Sequence, residues 1–137
     1  MVIAGDAALI VVDTSVWIDW INEKTTEQVD KLRQGLGSQE VVVGDIILLE
    51  VLQGARDDVH ARRIERRLND CVQMQMLNKP LVSIAAANLR HLRCKGITIR
   101  KTPDLNIGTW CIENDCPLLH NDRDFLPMVE HLGLKEF

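Results

Sequence analysis

Apolar residues in this chain come in short unbroken runs, not in alternation with polar ones. Residues 9–12 (Leu-Ile-Val-Val) and 41–43 (Val-Val-Val) are mostly β-branched, and Leu118 and Leu119 form a shorter run. Runs of this kind predict strands buried on both faces. Elsewhere the apolar positions recur at helical spacing, as at Val29, Leu32 and Leu36. The spacing predicts helices near 16–20, from 25 to the glycines at 35 and 37, and over 46–53, 57–69, 83–93, 102–114 and 125–132. Thr25 and Gln28 are spaced as a capping box, Gly35 and Gly37 read as helix stops, and Pro103 suits a first helical turn. Residues 97–99 read as a short extended piece. Strand and helix in repeated succession, with apolar strands, predict an α/β fold: a central parallel sheet covered by helices on both faces.

The predicted strand ends carry acids. Asp13 follows the first run directly, and Asp122 comes shortly after the third. In open parallel sheets, function collects at the carboxyl ends of the strands, so these two acids can meet despite their separation in sequence. Glu50 stands in a helix apolar on nearly every side, where a carboxylate is unfavourable unless it is paired or binds a metal. Asp104 lies in the first turn of its helix. Each acid has an ordinary structural reading as well. Asp13 can cap a helix, Glu50 can reach a helix edge or an arginine, Asp104 can complement the helix dipole, and Asp122 can serve a turn. Together they describe a different possibility, because four converging carboxylates repel one another and need a cation among them. Oxygen ligands alone select Mg²⁺, or Mn²⁺, over zinc.

Composition changes this picture little. With 137 residues, 46% hydrophobic and 26% charged, one globular domain over 1–137 is expected. There is no signal-like start and no apolar run of about 18 residues, so a cytoplasmic protein is expected. Cys71, Cys94, Cys111 and Cys116 show no paired-ligand spacing and read as free thiols. The net charge of −4 is mildly adverse to nucleic-acid binding, but Arg56, Arg62, Arg63, Arg66 and Arg67 gather in one stretch, and Arg100 and Lys101 precede Asp104. The arginine stretch reads either as a phosphate-binding face or as a solvated helix face laced by Asp57, Asp58 and Glu65. Trp17, Trp20 and Trp110 are expected in core or dimer packing. His120 is within reach of Asp122 but is read as structural.

Residues 13–19 (DTSVWID), 48–54 (LLEVLQG), 102–108 (TPDLNIG) and 118–125 (LLHNDRDF) resemble, in order and spacing, the four motifs of a PIN domain. The likeness is strongest to the VapC type, the ribonuclease toxin of a type II toxin–antitoxin pair. The resemblance implies a three-layer α/β/α fold and a Mg²⁺-dependent endoribonuclease. It implies that Asp13, Glu50, Asp104 and Asp122 are the catalytic acids. Asp124 would support or replace Asp122 at the metal, and Thr14 and Ser15 would stand beside the ligands. It further implies a homodimer and a small VapB-like antitoxin over the site. The chain departs from the family pattern in three places. Residues 1–8 form an extension, residues 105–109 (LNIGT) replace a commoner Ile-Ala-Ala, and Asp45 stands where a small residue or proline is usual.

On this reading one or two Mg²⁺ ions activate water for attack on an RNA phosphodiester. Arg56, Arg62, Arg63, Arg100 and Lys101 would meet phosphates further along. The rivals are a metal-dependent DNA nuclease or phosphatase, and a catalytically inert PIN-like interaction module. Ser15, two residues after Asp13, disfavours an aspartyl-phosphate phosphatase, which would have a second Asp there.

Overall fold

A computed structural model describes residues 8–38 and 40–137. The extension expected at 1–8 lies outside these residues except for Ala8. Four strands, β1 (Ile10–Val12), β2 (Val41–Gly44), β3 (Val72–Met74) and β4 (Leu118–Leu119), form one sheet in the order β3-β2-β1-β4. Every pairing is parallel, with Val11 beside Val42 and Leu118. Among the described residues seven helices flank it: α1 (Thr14–Ile21), α2 (Glu27–Ser38), α3 (Asp45–Gln53), α4 (Asp58–Asn69), α5 (Lys79–Cys94), α6 (Thr102–Glu113) and α7 (Leu126–Leu132). The result is the three-layer α/β/α arrangement expected from the apolar strand runs. β1, β2 and β4 are buried throughout, and with Trp17, Leu32, Ile47, Leu68, Ile107 and Phe125 they build the core.

The structure departs from expectation at five points. β3 was not expected; it is a half-exposed edge strand of three residues. Residues 97–99 form no strand. α5 begins at Lys79, not at 83, because the Asn78 side chain accepts from the Leu81 N–H at 3.0 Å and Pro80 occupies the first turn. α2 is capped by Thr26, whose hydroxyl accepts from the Val29 N–H at 3.0 Å, and not by Thr25. It also runs through Gly35 and Gly37 to Ser38, so neither glycine stops it.

The segment after β3 is clamped from both sides. Asp45 accepts from the Ile46 and Met76 N–H groups at 2.9 and 2.8 Å, so it both serves the α3 start and holds Met76. The buried Asn106 amide donates to the Met76 carbonyl at 3.1 Å. Asn106 and Thr109, which accepts from Asn88 at 3.1 Å, give the unusual 105–109 segment two polar ties. Gly108 leaves room for Met128, which a Cβ would approach to 2.5 Å.

Gly44 has an ordinary φ of −80°, so it is there for space. A Cβ at this position would collide with Met76 Sδ, and Met76 is fully buried. Gly44→Ala is therefore expected to destabilise the protein by about 1–3 kcal/mol through overpacking, read as a lower urea midpoint. An unchanged midpoint would mean that Met76 repacks freely.

Candidate active site

The acids stand at the carboxyl edge of the sheet for local reasons. β1 ends at Val12, and Asp13 is the N-cap of α1. Its Oδ2 accepts from the Ser15 N–H at 3.0 Å and from the Ser15 hydroxyl at 2.7 Å. That hydroxyl accepts in turn from the Asn121 N–H at 3.1 Å, which ties the first motif to the loop after β4. The Ser15 proton is thus spent on Asp13, and its oxygen on the loop. Glu50, on α3, receives the Thr14 hydroxyl on Oε1 at 2.8 Å.

Asp104 sits in the first turn of α6, which opens at Thr102 with Pro103 behind it. Asp122 caps a short 3₁₀ turn (Arg123–Phe125): its Oδ1 accepts from the Asp124 N–H at 2.9 Å. Asp104, Asp122 and Asp124 each bring a carboxylate oxygen within 4.8 Å of the others. Lys101 Nζ lies 3.5 Å from Asp122 Oδ2.

This arrangement is electrostatically unfavourable as it stands. Asp13 is only 2% exposed and Asp104 4%. Burial pushes the Asp104 carboxyl up to about 7, helped by the charges of Asp13, Asp122 and Glu50 and opposed by Lys101. Burial also raises Asp13, against its bonds to Ser15, and Asp122 adds to the rise. The proximity of Asp104 and Asp122 holds the Lys101 ammonium above its usual range. Asp13 Oδ1 and Asp104 Oδ2 are buried with no hydrogen-bond partner. Unpaired buried carboxylate oxygens are rare and need an explanation. A hard divalent cation accounts for them and for the clustered charge, and an all-oxygen donor set suits Mg²⁺ or Mn²⁺.

The basic candidates fall into two places. Lys101 is at the acidic cluster, and Arg100 is exposed beside it. Arg56, Arg63, Arg66 and Arg67 line an open groove of about 670 Å³ with Trp20. The Arg67 guanidinium lies 5.0 Å from the Trp20 ring centre. Arg62 is exposed on α4 and does not line the groove. Trp20 is near the far end of α1 from Asp13, roughly 10 Å along the helix axis. Trp17, packed edge-on against Trp20, and Trp110 are core residues. All four cysteines are free.

Two features were not anticipated. One is the Thr14–Glu50 bond. The other is a contact between His120 and Glu136, 2.7 Å from Nε2 to Oε2. Spacing gives no hint of either pair, since 36 and 16 residues separate the partners.

Known proteins share this fold. The family model of the PIN domain matches residues 10–129. Among solved structures, VapBC2 of Rickettsia felis, bound to a DNA fragment from its promoter, is similar with a TM-score of 0.70 and 16% identity. That likeness covers 94% of this chain and 97% of the other. DNA-bound VapBC of Salmonella typhimurium is similar with a TM-score of 0.67 and 18% identity, over 95% and 97% of the two chains. At these identities the likeness establishes a shared fold.

Proposed function

This chain belongs to the PIN domain family, and on that premise we propose that it is a Mg²⁺-dependent endoribonuclease acting as the toxin of a type II toxin–antitoxin pair. The observation that carries the reading is the pair of buried, partnerless oxygens on Asp13 and Asp104 beside clustered acids. Asp13, Glu50, Asp104 and Asp122 are the proposed catalytic acids. All four, with Asp124, are the proposed holders of Mg²⁺, or of Mn²⁺ in its place. When bound, the ion supplies Lewis acidity, polarising a phosphoryl oxygen and acidifying water at neutral pH.

The chain's own residues do the rest. Ser15 holds the Asp13 carboxylate, and Thr14 holds that of Glu50. Lys101 keeps a positive charge beside Asp122, where a scissile phosphate would enter. Arg56, Arg62, Arg63 and Arg100 would bind phosphates further along the RNA. We read residues 1–137 as one PIN-like domain with an extension at 1–8. The partners would be RNA, a VapB-like antitoxin and a second copy of the chain, in the cytoplasm. The antitoxin reading is supported by the names of the two similar structures, which are VapBC complexes. Among the described residues no helix is long and apolar enough to cross a membrane.

The deciding assay offers RNA, DNA of the same sequence and a small phosphomonoester to the protein with Mg²⁺. Internal cleavage of RNA alone, abolished by EDTA and by Asp13→Asn, is expected. Equal cleavage of DNA, turnover of the monoester, or inertness towards all three would favour the corresponding rival.

Thr14→Val keeps the shape of a buried side chain but frees Glu50. Removing a hydrogen bond that orients a metal ligand costs about 10-fold or more in metal affinity. The Mg²⁺ concentration for half-maximal cleavage is expected to rise accordingly, and an unchanged value would make Thr14 mere filling. Replacing Arg56, Arg62 and Arg63 with alanine should flatten the salt dependence of RNA binding. The slope should fall by about 0.7 for each single-strand phosphate that is no longer neutralised. Fluorescence anisotropy at graded salt measures it, and an unaltered slope would return these arginines to a solvated face.

A further inference from the structure

His120 leaves β4 and points back into the protein, its side chain only 7% exposed. The ring tilts against Phe125 with centres 5.0 Å apart. Its two nitrogens have different partners. Nδ1 accepts from the Asp122 N–H at 3.2 Å. Nε2 lies 2.7 Å from Glu136 Oε2. A backbone N–H can only donate, so Nδ1 must present its lone pair. The proton of a neutral ring is then on Nε2, where it donates to the Glu136 carboxylate. The two contacts therefore require the same tautomer.

Glu136 is held in place by the sheet. The Leu118 N–H donates to the Lys135 carbonyl at 2.9 Å, and the Phe137 N–H to the Leu118 carbonyl at 3.0 Å. Glu136 thus forms a parallel bridge to Leu118, along the outer side of β4. Leu134 is buried and Lys135 pairs with Asp115 at 2.7 Å, which anchors the segment beside the bridge. At the other end of the relay, the Asp122 carboxylate caps the turn that carries Asp124. Moving the Asp122 amide would move both acids of the last motif.

We propose that His120 is a positioning residue for the acidic centre. Glu136, delivered by the segment paired to β4, holds its ring as the Nε2–H tautomer. Nδ1 then fixes the Asp122 amide, and with it the places of the Asp122 and Asp124 carboxylates. The proposal rests on the metal-dependent reading given above. A histidine that merely filled space would need neither a given tautomer nor an acceptor at Nδ1.

Two measurements test it. Long-range ¹H–¹⁵N spectra of the metal-free protein report the tautomer directly. A protonated Nε2 and an unprotonated Nδ1 on His120 are expected, shifting towards a mixture in Glu136→Leu but not in Glu136→Gln, whose amide oxygen still accepts. An Nδ1–H ring in the wild type would overturn the proposal. The second measurement compares His120→Asn, which can place an oxygen near the Nδ1 position, with His120→Gln, which reaches the Nε2 position and leaves the Asp122 amide unpartnered. Mn²⁺ titration calorimetry is expected to show His120→Gln weakened about 10–100-fold, the scale for a metal ligand deprived of the group that orients it, and His120→Asn weakened several-fold less. Thermal midpoints check that both variants fold. Equal weakening of the two, or none in either, would reduce His120 to packing. Failure of the wild type itself to bind Mn²⁺ would instead refute the function on which the proposal stands.

Discussion

Asp104→Asn is expected to remove RNA cleavage and, in the metal-free protein at pH 8, to raise the thermal midpoint. The two effects have one cause. The Asp104 carboxyl is buried, one of its oxygens has no partner, and burial together with three other carboxylates pushes its pKa up to about 7. In the unfolded chain the same group titrates near 3.9. Between these values the folded protein keeps a proton that the unfolded chain has released. Stability therefore falls as pH rises from about 4 to about 7, and the full penalty remains above that range. Asparagine is uncharged at every pH, and its amide can donate to the neighbouring acids. At pH 8 the variant escapes the penalty, while at pH 4 it should differ little from the wild type. Activity moves the other way. A fall of at least about 100-fold is expected, the scale for removing one group that stabilises transition-state charge. Single-turnover cleavage and calorimetric melting at the two pH values measure both effects. A variant that stays active, or that melts below the metal-free wild type at pH 8, would contradict the assignment.

Mg²⁺ should relieve the same strain in the wild type. A ligand at a hundred times its dissociation constant stabilises by about 2.7 kcal/mol. For a domain of this length that is a rise of roughly 5–10 °C in Tm. The shift should be larger at pH 8 than at pH 5, because at pH 5 the Asp104 proton must leave before the ion can bind. EDTA should reverse it, and Asp104→Asn should abolish most of it. A shift of equal size at both pH values, or one retained in the variant, would place the ion elsewhere.

The legible parts of the fold are those where burial leaves a mark on composition. β1, β2 and β4 are covered on both faces, so nearly every position is apolar and the runs are unmistakable. β3 is an edge strand, and none of its residues is fully buried. Its signal is the alternation of Val72, Met74 and Met76 with the exposed Gln73 and Gln75, which three residues of strand make easy to overlook. α2 shows a different limit. Its glycines resemble stops, but Gly35 is buried, and a Cβ there would come within 3.0 Å of Val41 on the neighbouring strand. Helix–sheet contact explains that glycine, and contact is not visible along one helix.

At the site, the sequence alone determined which residues bring acidic chemistry: Asp13, Asp122 and Asp124 after strands, Asp104 at a helix start and Glu50 inside an apolar helix. An acid beside a buried apolar run is conspicuous because desolvation makes it unfavourable. Only the tertiary structure decided which of them meet, that Lys101 stands against Asp122, that Thr14 and Ser15 bond the Glu50 and Asp13 carboxylates, and that His120 stands between the Asp122 N–H and Glu136. Hydrogen bonds of about 3 Å between residues far apart in the chain depend on how strands register and helices pack. Local propensity and hydrophobic pattern constrain each element's kind and buried face, but not its rotation or depth against the next.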